Sequence, residues 1–453
     1  MDMDTDLAYN QALDYLYSFV DYSLKKSSEL AKANFNLDRM RALMVLLGNP
    51  EQKYPSLHVA GTKGKGSTSA LMAAALKAGG YKTGLYTSPH LQDYVERIQI
   101  DGQPIPHAEL VELVEQVKPH VAAVPQLTTF EITTAIGLLH FARQKVDAAV
   151  IEVGLGGRLD ATNVVTPRVS VITSLSYDHM AVLGNTLTLI AGEKAGIIKT
   201  GIPVVSSPQK DEALVVLERV AKEHQAPLTL VGREVLFAAG EHSLDGQTLS
   251  ITTKKKAEDG QRKVENNQES VILRIPLLGQ HQVVNAATAF TAIQASGLNV
   301  CTEAIRKGFA DVTWPCRFEI VSREPPVILD SAHNQDSFEK LAQTLEDYYP
   351  GRAVLLIFGS SEDKDVNGML SALRGRLKLI LATKATHPRA IEPEKIVETA
   401  NRLGVRAEAV VPVEAALSRA RVLAKAGGEI VLSAGSMFVT AEVKTAWEKL
   451  FKT

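Results

Sequence analysis

The sequence predicts an α/β protein of two domains: a mostly parallel sheet of P-loop type carrying a small antiparallel insert, then a Rossmann-like α/β domain. Three observations carry this. Short apolar runs alternate with helix-length stretches along most of the chain, which is the pattern of βαβ units. The 453 residues exceed what one ordinary hydrophobic core covers. After about residue 231 the pattern changes to short β-like runs separated by polar turns.

Taken in order, the strand runs of the first domain are LHVAG, YKTGLYTS, DAAVIEVG, VSVITS and IPVVSS. Each is too short for a helix and rich in residues that suit a pleated, buried surface. Between about 231 and 276, VLFAA, LSITT and SVILRIP lie between LDGQ and the charged TKKKAEDGQRKVENNQES, which reads as an antiparallel insert with a solvated loop. Lys254–Lys256 in that loop reads as a hairpin tip rather than a binding patch. The helix VVNAATAFTAIQASGL closes the first domain, placed at residues 1–298. PPVILDSAHN, AVLLIFGSSEDKD, LKLILATKA and EIVLSAGS then repeat the strand-and-turn pattern, giving a second domain over 299–453.

Composition narrows the function. Lys plus Arg number 49 against 51 Asp plus Glu, a net charge of -2, so no basic footprint for nucleic acid is expected. No apolar run approaches the roughly 18 residues of a membrane span, and the start MDMDTDLAYN is acidic where a signal peptide is basic. A cytoplasmic monomer is the expectation. Two cysteines, Cys301 and Cys316, offer neither a disulfide framework nor a metal-knuckle spacing.

The most informative stretch is HVAGTKGKGSTSALM, residues 58–72, where a strand enters a glycine-punctuated turn and then a helix. Gly61, Gly64 and Gly66 let backbone N–H groups approach an anion, and the helix aims its positive end at the same point. Lys65 adds a charge for terminal phosphates and the Ser67 hydroxyl suits magnesium. The run G-T-K-G-K-G-S departs from G-x-x-x-x-G-K-[ST] by a glycine between lysine and hydroxyl, and such a turn also occurs simply as a tight turn.

Further polar groups sit at strand ends, where open α/β sheets build sites. Glu152 leads into GLGGRLDATN, VSVITS into Ser176, Tyr177, Asp178 and His179, and YKTGLYTS delivers Ser88. A carboxylate, a hydroxyl and an imidazole suit a hard divalent cation that keeps its waters. Taken singly, each is as readily a salt-bridge partner, a helix cap or a structural histidine.

The stretches HVAGTKGKGST, LYTSPHL, TTFEITTA, IEVGLGGRLDATN, YDHMAVLGNT, EKAGIIK, WPCRFE, LDSAHN and AGSMF occur in the order seen in folylpolyglutamate and dihydrofolate synthases, members of the Mur ligase superfamily, which the chain resembles over nearly its whole length. The resemblance implies phosphorylation of a carboxylate by ATP and displacement of the phosphate by the amine of L-glutamate, with dihydropteroate or reduced folates as acceptors. It places ATP on Gly61, Thr62, Lys63, Gly64, Lys65, Gly66 and Ser67, with Asn285, Arg317 and Asp330 added from the second half of the chain. It assigns one magnesium to Ser67 and a second to Ser88, Glu152 and His179, with Lys194 as a supporting carbamate and a monovalent cation such as potassium as a further candidate. Lys65, Lys194 and His333 become catalytic, Phe130 and Glu131 line the pterin side, and Gly435 and Ser436 lie near the glutamate site. Two departures stand out: Lys63 replaces the usual asparagine, and Cys316 the usual glycine of W-P-G-R-F. The alternatives are a Mur-type UDP-sugar peptide ligase, for which the glycine turn at Gly61 leaves no N-terminal UDP-binding domain, and a non-catalytic nucleotide switch, which leaves Glu152, His179, Lys194 and His333 without a common purpose.

Overall fold

The computed structural model describes residues 3–21, 35–253 and 269–451, so the Lys254–Lys256 run lies outside the described residues. The chain forms two compact units. The first holds residues up to Glu241, then Thr248–Pro276 and Gln282–Val312; the second holds His242–Gln247, Leu277–His281 and Thr313 onward.

In the first unit the predicted runs become β1 (Ser56–Ala60), β2 (Thr83–Tyr86), β5 (Ala148–Glu152), β6 (Val169–Ile172) and β7 (Val204–Ser206). With β3 (Ile98–Ile100), β4 (Gln103–Pro104) and β8 (Leu228–Leu230), which the sequence reading missed, they form one sheet in the order β4-β3-β2-β5-β1-β6-β7-β8. Strands β2, β5, β1, β6, β7 and β8 run parallel, while β3 and β4 add antiparallel at one edge. The central strands are buried throughout, which explains their unbroken apolar runs. Register matches Val59 with Glu152 and Val171, Ala60 with Ile172, and Tyr86 with Ile151. The Gly61 turn, Ser88, Glu152 and Thr173 therefore follow from one carboxyl edge of the sheet.

The insert comprises β9 (Val235–Ser243), β10 (Gly246–Thr253) and β11 (Glu269–Ile275), in the order β11-β10-β9. Only Leu244 and Asp245 separate β9 from β10, a hairpin connection that makes this pair antiparallel. The division between units falls after Val312 rather than at Leu298, because helix Thr302–Ala310 packs on helix Lys65–Ala78. The contact is close: a Cβ on Gly308 would lie 2.5 Å from Ala74 O and Ala75 Cα.

The second unit has six strands, β12 (Glu319–Arg323), β13 (Pro326–Leu329), β14 (Val354–Phe358), β15 (Leu377–Ala382), β16 (Ala407–Ala409) and β17 (Ile430–Ala434), ordered β12-β13-β17-β14-β15-β16. All pairings are parallel except β12 with β13. Asp330, Gly359, Thr383 and Gly435 follow from the carboxyl ends of its central strands.

Candidate active site

Helix Lys65–Ala78 starts from Gly64, whose φ of +86° is a left-handed conformation and which supplies no side-chain cap. The first N–H with an intrahelical acceptor is that of Thr68, bonded to Gly64 O at 2.9 Å, so Lys65, Gly66 and Ser67 keep N–H groups with none. Gly61 is required by space, since a Cβ there would sit 1.8 Å from Thr173 Oγ1. At Gly64 a Cβ would sit 2.2 Å from Asn285 Oδ1. Asn285 thus belongs to the first unit and lies over the glycine turn, its amide also donating to Gln282 Oε1 at 2.9 Å.

Two members of the turn are committed to the fold. The N–H groups of Thr62 and Lys63 both donate to Ser174 O at 3.0 Å. Lys63 Nζ pairs with Asp178 Oδ2 at 3.1 Å, so the extra charge of this departure is met by a carboxylate that the sequence reading did not connect with it. The sequence signal for Asp178 is its place beside His179 in the segment that follows β6.

Lys194, in helix Leu187–Ala195, is buried, and its Nζ donates to Gly61 O at 2.8 Å. Burial pushes its ammonium down to about 7; Lys65 adds to the effect, and Asp178 and Asp160 oppose it. The GLGGRLDATN stretch clasps this helix end. Arg158 N donates to Glu193 O at 2.8 Å, Asn163 Nδ2 donates to Gly196 O at 3.0 Å, and a Cβ on Gly157 would lie 2.8 Å from Glu193 O. Asp160, which burial pushes upward, keeps N–H donors from Leu155 and Thr162.

Glu152 is buried and accepts from Ser88 N at 3.3 Å. His179 differs: its side chain is 44% exposed and its Nε2 stands 3.9 Å from Asp178 Oδ1. Among the described residues no three His, Cys, Asp or Glu side chains form a metal-holding group. Glu131 is occupied structurally, closing a capping box with Thr128 and accepting from Arg39 Nε at 3.1 Å. Phe130 lies against Gly154, where a Cβ would be 2.4 Å from its ring.

In the second unit, Asp330 ties two loops together: Oδ1 accepts from Ala332 N and Oδ2 from Phe318 N, both at 2.8 Å. Burial pushes Asp330 upward, while the two N–H groups and Arg317 oppose the shift. In the WPCRF turn Cys316 itself stands at φ +56°, a left-handed conformation, and is buried. Arg317 Nη1 donates to Cys316 O at 3.1 Å. His333 Nδ1 is 2.8 Å from Ser331 O; a carbonyl only accepts, so Nδ1 is the donor of this pair. Gly435 N donates to Ala332 O at 2.8 Å, which sets the Ser436 loop beside the same segment.

Residues 59–293 match the Mur ligase middle domain and residues 316–437 the Mur ligase glutamate ligase domain. The chain is 36% identical over 449 residues to the dihydrofolate synthase/folylpolyglutamate synthase of Bacillus subtilis, covering 96% of this chain and 98% of that one. It belongs to the folylpolyglutamate/dihydrofolate synthase family. Solved members share the architecture. Mycobacterium tuberculosis folylpolyglutamate synthase complexed with ADP has a TM-score of 0.86 at 32% identity, covering 97% of this chain and 98% of that one. Escherichia coli FolC in complex with DHPP and ADP has a TM-score of 0.83 at 32% identity, with the same coverage.

Proposed function

We propose that this synthase-family chain is an ATP-dependent ligase joining the amino group of L-glutamate to a carboxylate of dihydropteroate or of a reduced folate. One observation carries the reading: an open helix N-terminus with Lys65 and Ser67, and a buried Lys194 whose Nζ reaches Gly61 O, meet at one glycine turn in a chain of which 96% aligns with the B. subtilis enzyme. The N–H groups of Lys65, Gly66 and Ser67 and the Lys65 ammonium cradle the ATP phosphates. Asn285, over the turn, and Arg317 and Asp330 contact the nucleotide.

The acceptor carboxylate oxygen attacks the γ-phosphorus, ADP leaves, and an acyl phosphate results. The glutamate nitrogen then attacks the acyl carbon, phosphate leaves, and the amine gives up a proton. His333, whose imidazole is suited to general-base work, is the group assigned to take it. Phe130 faces the acceptor ring and Ser436 the incoming glutamate.

The donor set fits magnesium. Ser67, Ser88 and Glu152 offer hard oxygen atoms, which suit an ion that keeps waters and uses substrate phosphates. His179, and Lys194 once carbamylated, complete the proposed set. Magnesium held there supplies neutralisation of the repulsion between carboxylate and phosphate. A Lys194 amine with its proton affinity lowered to about 7 is available to capture carbon dioxide near neutral pH.

Purified protein should release ADP only with ATP, magnesium and acceptor together, and sustained turnover should also require glutamate. Rapid ADP formation without acceptor is the result that sinks the proposal.

A further inference from the structure

Arg97 is 8% exposed, yet no carboxylate pairs with it among the described residues. Its Nε donates to His90 Nδ1 at 3.0 Å, and its guanidinium carbon stands 4.9 Å from the centroid of the Tyr94 ring. These contacts fix the plane of the fork and use one of its five N–H groups. The terminal nitrogens make no hydrogen bond among the described residues. Acids close in sequence are committed elsewhere. Asp93 accepts from Tyr9 and from His107 Nε2, and Glu96 accepts from the N–H groups of Leu91, Gln92 and Asp93. A buried cation costs free energy unless an anion meets it.

The surroundings indicate what that anion belongs to. Arg97 O accepts from Thr87 N at 3.0 Å, one residue before Ser88. Aromatic rings crowd this place: Tyr94 lies 5.6 Å from His90 and 5.8 Å from Tyr17, and Tyr86 lies 6.4 Å from Phe130. Tyr94 and Tyr86 are core rings, but Tyr17 is 41% exposed and Phe130 half-buried, and such flat surfaces near a planar fork suit a ring-bearing carboxylic acid better than a nucleotide triphosphate, for which we assign the Gly61 turn.

We infer that Arg97 is the anion-recognising residue of the acceptor site, its terminal N–H groups taking a carboxylate of the pterin-bearing acceptor. This rests on the function proposed above. Arg97→Met and Arg97→Lys are compared with the wild type in the full chain, varying one substrate at a time. For Arg97→Met, KM for dihydropteroate or reduced folate should rise about tenfold or more, the loss expected of a charged hydrogen-bonded pair, while KM for ATP and glutamate stays unchanged. Arg97→Lys keeps the charge but not the fork, so it should weaken acceptor binding with a native melting temperature even where Arg97→Met fails to fold. An unchanged acceptor KM, or a rise for glutamate or ATP instead, overturns the inference. Calorimetric titration with folate, without ATP or glutamate, separates the two readings. If wild type binds folate and Arg97→Met does not, the inference stands even without ligation; equal binding by both overturns it whatever the enzyme makes.

Discussion

At the scale of single residues, burial decides most of the chemistry. Lys194 holds its proton to about 7 in the folded chain against its usual 10.5. Between these values the unfolded chain binds more protons, so this group raises stability as pH rises from about 7 to about 10.5. Denaturant titrations of metal-free protein in bicarbonate-free buffer should show that slope, and Lys194→Met should flatten it. If Lys194 also carries a carbamate, Lys194→Ala should lose most activity, Lys194→Arg should not recover it, and a small carboxylic acid should restore part of it to the alanine variant. Wild-type rates in Lys194→Ala would remove the residue from the mechanism. The cysteines offer a contrasting case. Burial pushes the Cys316 thiol up to about 12, whereas Cys301 is exposed. A thiol reagent should label Cys301 alone in native protein and both after unfolding, as mass spectrometry of the labelled peptides would read.

At the scale of elements, helix ends do two different jobs. Helix Lys65–Ala78 is left without a side-chain cap, so its first turn is available to an anion. Helix Thr129–Arg143 is closed by Thr128 and Glu131, so that end is structural. Glu131→Ala removes the capping box and the Arg39 ion pair together, and should cost about 2 kcal/mol in denaturant midpoint experiments. Glu131→Gln keeps an accepting oxygen and should cost less. A large rise in acceptor KM with unaltered stability would instead return Glu131 to the pterin-side pocket that its motif suggests.

At the scale of the whole molecule, the position of a cut matters. Truncation after Leu298 strips helix Thr302–Ala310 from the helix that follows the glycine turn, whereas truncation after Val312 keeps it. The longer fragment should unfold cooperatively and the shorter one should be markedly less stable by circular dichroism; equal stability would show that this helix contact contributes little. Neither fragment should ligate glutamate, because Arg317, Asp330 and His333 are missing from both. The second unit also draws on distant sequence: Leu244 and Leu278 pack with its core, and Gln247 Nε2 donates to Leu277 O and Gly279 O.

The sequence by itself determined the parallel-sheet class, the central strand runs of both units and the glycine turn at Gly61, because buried parallel strands read as unbroken apolar runs and glycine turns mark close backbone approaches. It missed β3, β4, β8, β12 and β16, which are short or lie toward sheet edges, where burial is partial and the apolar signal weak. Tertiary structure alone decided which polar groups are already engaged. Lys63 and Glu131 carry motif signatures of binding, yet Asp178 and the pair Thr128 and Arg39 hold them. Tertiary structure alone also placed Asn285 over Gly64 in the first unit and left Arg97 buried without a carboxylate among the described residues. Pairing and desolvation depend on residues far apart in the chain meeting at a few ångströms, and no local pattern encodes that distance.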